Sequence, residues 1–184
     1  MTDPGRSGEP LDADLIARWK AGDQRAASTL VERHAGALAR FAASCGARED
    51  VDELVQDTFV RAFGSLDGFR GDSSFRTWLF TIQRRLLLDR RRAERRQPAR
   101  FEIAEEDAAT EFDALDNLVA DKAHVQVRRA VAKLTPTQRE VFVLRVNEGL
   151  SYKEIAELVG TTEGAARVHY HNAMRAVKER LDDA

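Results

Sequence analysis

One cysteine, Cys45, stands in 184 residues. It has no partner within the chain, which excludes an internal disulfide and fits a reducing compartment. No apolar run approaches the ~20 residues of a membrane-spanning helix, so membrane insertion is not expected. Residues 1–10 hold Pro4, Gly5, Gly8 and Pro10 without an apolar core. They read as a flexible tail rather than a signal peptide, and the expected compartment is the cytoplasm. Strict alternation of apolar and polar residues is missing, and with it any strand signal. His169 and His171, two apart on a helical stretch, point to different faces and make a poor metal pair. No nucleophile, base and orienting group stand together. The sequence therefore leads to no catalytic residue, no metal and no cofactor, and an enzyme is not expected. A net charge of −2 gives no overall pull toward nucleic acid.

Charge is nevertheless abundant, and it is sorted. Arg84, Arg85, Arg90, Arg91, Arg92, Arg95, Arg96 and Arg100 form a basic block, followed by Glu102, Glu105, Glu106, Asp107, Glu111, Asp113 and Asp116. So abrupt a change of sign separates two jobs. Around it apolar residues recur at helical spacing. Residues 11–21 turn Leu15, Ile16 and Trp19 inward. Gly22 ends that helix and Asp23 caps the next, which runs to about 44 and buries Ala27, Leu30, Val31, His34, Leu38 and Phe41. His34 reads as a core or edge histidine, not a ligand. A third helix, 48–63, buries Val51, Leu54, Val55, Thr58, Phe59 and Phe63. It leaves Asp50, Glu53, Gln56, Asp57 and Val60 outside or at the margin, as a solvated face or as a dock for a basic partner. A fourth helix ends before Pro98. The expected fold class is all-α, with two small helical domains. A four-helix domain spans 11–97 and a second domain spans 122–184. Between them an acidic linker, 98–121, reaches at most ~80 Å and could hold the domains apart.

The stretch 67–96 carries the most chemistry. Asp67, Gly68, Gly71, Asp72, Ser73 and Ser74 make a turn-rich entry, and Asp72 or Ser73 is expected to cap the helix that follows. Phe75, Trp78, Leu79, Ile82 and Leu86 share one face, and Phe80, Arg84, Leu87, Arg91 and Arg95 share the other. Rings stack on bases and guanidinium groups hold phosphates, so the second face suits opened nucleic acid. A core helix with a solvated basic end is the competing reading, and this helix alone does not separate the two.

Further on, Thr135 caps a helix with Pro136 in its first position and Gln138 closing a capping box. Ser151 and Glu154 make a second box. That helix ends at Gly160, Thr161 and Thr162 turn the chain, and a last helix runs from 163 to about 181. The plan is helix-turn-helix. On the last helix Ala166, Tyr170, Ala173, Val177 and Leu181 point one way. Gly164, Arg167, Val168, His171, Arg175 and Lys178 point the other. Gly164 leaves room for a backbone or phosphate, and such a helix can present its N-terminal residues to base edges in a major groove.

Three motifs, in order, resemble those of one family. DELVQDTFVRAF (52–63) resembles the helix by which small alternative sigma factors of the extracytoplasmic-function (ECF) type dock on the polymerase clamp. FRGDSSFRTWLF (69–80) is similar to their loop and helix for the promoter −10 element. LTPTQREVFVLRVNEGLSYKEIAELVGTTEGAARV (134–168) is similar to their −35-reading domain. The resemblance implies a sigma factor that binds core RNA polymerase through its β and β′ subunits, directs it to promoter DNA and helps open the −10 region. It likens 11–97 to the second sigma region and 122–184 to the fourth. Carried over position by position, it implies polymerase contacts at Glu53, Gln56, Asp57 and Val60. The implied −10 site is Phe69, Arg70, Gly71, Asp72, Ser73, Ser74, Trp78, Arg84, Arg85 and Arg91. Implied −35 contacts are Thr162, Gly164, Arg167, Val168, His171 and Arg175. Family habit adds an anti-sigma protein as a partner.

Two departures bear on DNA preference. Arg85, in IQRRLLLD, stands where the family often has Asn, and Asn can read a base edge whereas Arg more readily grips phosphate or guanine. His169, Asn172 and Met174 stand where Arg is common, which lowers non-specific affinity. The rival reading is a helix-turn-helix regulator that works without polymerase, in which 67–96 has no evident job.

Overall fold

The computed structural model describes residues 11–47, 50–96 and 122–182. Among them are α1 (Asp12–Lys20), α2 (Gln24–Ser44), α3 (Val51–Gly64) and α4 (Phe75–Arg96), which form an N-terminal unit. A C-terminal unit follows, with α5 (Lys122–Ala132), α6 (Pro136–Val146), α7 (Tyr152–Val159) and α8 (Glu163–Asp182). No strand occurs among the described residues. The tail 1–10, the linker 98–121 and the Arg95 side chain lie outside them.

Local signals set most helix ends. Asp23 accepts from the Arg25 amide at 3.0 Å. Thr135 and Gln138 close their box with Pro136 in the first turn. Ser151 and Glu154 close the second, and Gly160 ends α7 at φ +76°, where a side chain would be strained. The cap of α4 differs from expectation. It is Ser74, not Asp72 or Ser73, whose hydroxyl accepts from the Thr77 amide at 3.0 Å. The core makes that choice, because Phe75 is buried as the first helical residue and so fixes the cap one position before it. In the first turn of α2 the buried alanine is Ala26, while Ala27 sits at the margin.

Leu15, Leu30, Leu38, Phe41, Leu54, Leu79 and Phe80 fill the N-terminal core. His34 is buried at its edge, as expected, with Nε2 2.8 Å from Asp12 Oδ2 and its ring edge-on to Phe75. Arg33 donates to the other oxygen of Asp12 at 2.6 Å. This pairing ties α1 to α2. Burial pushes the Asp12 carboxyl up, but bonds and charge from His34 and Arg33 outweigh it and hold it below its ordinary 3.8. A carboxyl lowered on folding lends stability above its unfolded pKa, and that stability is lost as pH falls through the lower folded value. Asp12→Asn is therefore expected to lower Tm at pH 7. The deficit should shrink below about pH 4 and vanish at more acid pH, as thermal melts across that range will record.

The two units touch instead of standing apart. α6 packs on α2, and α7 packs on α4. Two carboxylates of the C-terminal unit, Glu140 and Glu148, are buried at this seam. Ion pairs with arginines of the N-terminal unit offset the cost of taking them out of water.

Candidate nucleic-acid interface

Phe69 is half-buried in an aromatic cluster, 5.7 Å from the Phe75 ring and 5.0 Å from the Trp78 ring. Before α4, Arg70, Gly71, Asp72 and Ser74 are exposed and Ser73 is half-buried. Gly71 sits at φ +78°, so the loop turns there without strain. The Ser74 hydroxyl also lies 2.8 Å from that of Thr77, which in turn donates to Glu154 of the C-terminal unit at 3.0 Å. The loop is thus braced at its helical end and open at its tip.

Along α4 the expected nucleic-acid face divides. Phe80 is 0 % exposed, packed edge-on to Phe41 at 5.3 Å, and Leu87 is buried too. These two belong to the core. Arg84 donates from Nε to Glu140 Oε2 at 2.8 Å, and its Nη1 approaches the Leu158 carbonyl at 3.5 Å. Arg91 donates to the Cys45 carbonyl and lies 3.8 Å from Glu140. Arg76 pairs with Glu148 and donates to its backbone carbonyl at 3.1 Å, with Arg40 3.8 Å from the same carboxylate. Arg85 is exposed and pairs with no carboxylate among the described residues. Burial, with a further push from Glu140, raises the Cys45 thiol to about 12, so it is a core group and not a reactive one.

Glu53, Gln56, Asp57 and Val60 line one face of α3. Val60 is 65 % exposed, an isolated large apolar group with polar neighbours. Sequence reasoning did not anticipate Arg90, which reaches from α4 to Asp57 at 3.0 Å, Glu53 at 3.3 Å and Asp50 at 3.6 Å. The spacing along α4 places a cation there, but its three partners become visible only once α3 is packed beside it.

On α8, Gly164, Arg167, Val168, His171, Arg175 and Lys178 all face solvent, while Ala166, Ala173 and Val177 are buried. Thr162 is exposed and caps α8, accepting from the Ala165 amide at 3.1 Å. A Cβ added at Gly164 meets nothing within 4 Å, so the fold itself does not require glycine there. No three His, Cys, Asp or Glu side chains among the described residues are grouped to hold a metal ion, and no helix among them is long and apolar enough to cross a membrane.

A helical unit with a braced aromatic loop, followed by a helix-turn-helix, defines a class. The chain matches the family Sigma-70 region 2 over residues 30–97 and the family Sigma-70, region 4 over residues 124–177. The class is the sigma-70-type transcription initiation factor. Among curated relatives, the RNA polymerase sigma factor NccH of Alcaligenes xylosoxydans is 36% identical over 90% of this chain and 89% of its own. CnrH of Cupriavidus metallidurans is 36% identical over 94% of this chain and 96% of its own. The ECF sigma-E factor of Escherichia coli is 30% identical over 92% and 94%. The solved structure of CnrH with the cytosolic domain of CnrY matches with a TM-score of 0.68 and covers 94% of this chain and 97% of that one. The chain belongs to the ECF sigma factors of bacterial RNA polymerase. It is an alternative sigma factor that directs the polymerase to promoters, and the reading as a polymerase-independent regulator is set aside.

Proposed function

We propose that the two units divide the work as follows. The unit at 11–97 docks on the polymerase clamp through Glu53, Gln56, Asp57 and Val60. It captures an unpaired −10 base with the loop Phe69, Arg70, Gly71, Asp72, Ser73 and Ser74 beside Trp78. Arg84, Arg85 and Arg91 guide the opened strand. The unit at 122–184 reads the −35 element with Thr162, Gly164, Arg167, Val168, His171 and Arg175, and the linker 98–121 spans between them. The chain works in the cytoplasm as an initiation factor and not as a catalyst. CnrH is solved with the cytosolic domain of CnrY, and we infer a comparable anti-sigma partner here.

The observation that carries this reading is the loop 69–74, exposed at its tip and backed by the Phe69–Trp78 rings. Stacking one extruded base returns about 1–3 kcal/mol. Opening about ten pairs costs on the order of 14 kcal/mol at roughly 1.4 kcal/mol per step. The loop can select an opened strand but cannot open one alone, so the polymerase dock is indispensable. Arg84 and Arg91 are engaged with Glu140 in this structure. Both side chains are also largely buried at the seam, 19 % and 30 % exposed, so contact with the strand requires the seam to loosen there.

Replacing Gln56 and Asp57 together by Ala tests the dock. Both lie on the surface, and Arg90 keeps Asp50 and Glu53 as partners. Affinity for core polymerase is expected to fall on the order of tenfold with Tm nearly unchanged. Unchanged retention of the variant by core enzyme rejects the dock.

A further inference from the structure

Tyr152 opens α7, directly after its cap, and two guanidinium groups share its ring. Arg145 lies 4.8 Å from the ring centroid and Arg167 lies 4.9 Å from it. The two cations differ in what they have left to offer. Arg145 is half-buried and donates to the Leu150 carbonyl at 2.8 Å, so it braces the ring against the turn before α7. Arg167 is 56 % exposed and, among the described residues, hydrogen-bonds only to Glu163, at 3.1 Å. A guanidinium carries five N–H donors, so most of those on Arg167 remain open to a ligand. The ring itself is anchored. Tyr170 meets it edge-on at 5.8 Å and stacks over Phe142 at 6.5 Å, and Phe142 is buried.

We propose that Tyr152 is a positioning residue for Arg167, fixing its planar fork for one base pair of the −35 element and so setting sequence selectivity more than affinity. This rests on the reading of Arg167 as a −35 contact. A free arginine side chain loses rotamer entropy when it is held in one geometry. A side chain stacked on a rigid ring and tethered by Glu163 has lost much of that freedom before DNA arrives. Its fork then meets the paired acceptors on a guanine edge with less left to order. Phosphate contact gains little from such placement, because a phosphate accepts from many directions. The inference therefore concerns discrimination between bases, not the general pull of DNA.

The test uses the full chain assembled with core polymerase on a promoter library randomised across the −35 element. The readout is the ratio of best to worst base at each position. Arg167→Ala is expected to flatten one position by at least about fivefold. Tyr152→Leu keeps an apolar body and removes the aromatic face. It should lower the ratio at that same position about two- to fivefold, with other positions and the salt dependence unchanged. Tyr152→Phe should restore the preference, and Tyr152→Leu should add nothing in the Arg167→Ala background. A merely structural tyrosine would instead lower output evenly at every position, and that result overturns the proposal. So does an unchanged profile in Tyr152→Leu when Arg167→Ala has altered one position. A flat response to Arg167→Ala rejects the −35 role of Arg167 itself, and the proposal falls with it. Should Tyr152→Leu lose its melting transition, Tyr152→Met takes its place under the same outcomes.

Discussion

Phe80→Ala is expected to remove about 3–5 kcal/mol of stability, the ordinary cost of truncating a fully buried phenylalanine. In a chain of this size that lowers Tm on the order of 10 °C. The helical wheel sets Phe80 beside Arg84 and Arg91, where a ring would be free to stack on a base. The packing sets it against Phe41 at 5.3 Å, with no exposed surface. Arg76 lies 5.8 Å from the ring centroid, which closes that side further. The two placements give opposite results. A core ring costs stability wherever the protein is measured, with or without DNA. A base-stacking ring would leave Tm unchanged and weaken promoter opening by the worth of one stack. Thermal denaturation of the isolated chain separates them, and an unchanged Tm would return Phe80 to the nucleic-acid face.

Phe80 also shows where sequence legibility ends. A helix wheel finds one buried face reliably when the other meets water. α4 packs against α2 and α3 within its own unit and against α7 of the other, so little of it is free. The period could not distinguish a basic groove-facing stripe from a stripe covered by a second domain. Local features fared better. The Thr135–Gln138 and Ser151–Glu154 boxes stand where they were expected, since each is closed by groups three residues apart. The exposed face of α8 was legible for the same reason. At the start of α4 three polar residues in a row could each cap, and only the placement of Phe75 in the core chose Ser74. Glu140 and Glu148 gave no local sign at all. Their partners Arg84 and Arg76 lie 56 and 72 residues away, and nothing near either acid announces them.

Arg84→Ala is expected to open the molecule rather than unfold it. The substitution leaves Glu140 buried, with Arg91, at 3.8 Å, its remaining ion-pair partner among the described residues. Removing one partner of a buried pair costs about 3–5 kcal/mol if the other charge stays out of water. Within a single core that charge could escape only by unfolding. Here Arg84 and Glu140 belong to different units, and parting them returns the carboxylate to solvent at the loss of the apolar contacts of the seam, not of the packing within either unit. The cheaper response wins, so the radius of gyration from small-angle scattering should rise while helix content stays the same. Arg84→Met combined with Glu140→Leu is expected to stay compact, because a matched apolar pair has no charge to rehydrate. If instead Arg84→Ala loses Tm by the full amount and keeps its radius up to the transition, the seam is part of one cooperative fold. Promoter contact through Arg84 would then demand that polymerase or DNA supply the energy to break it.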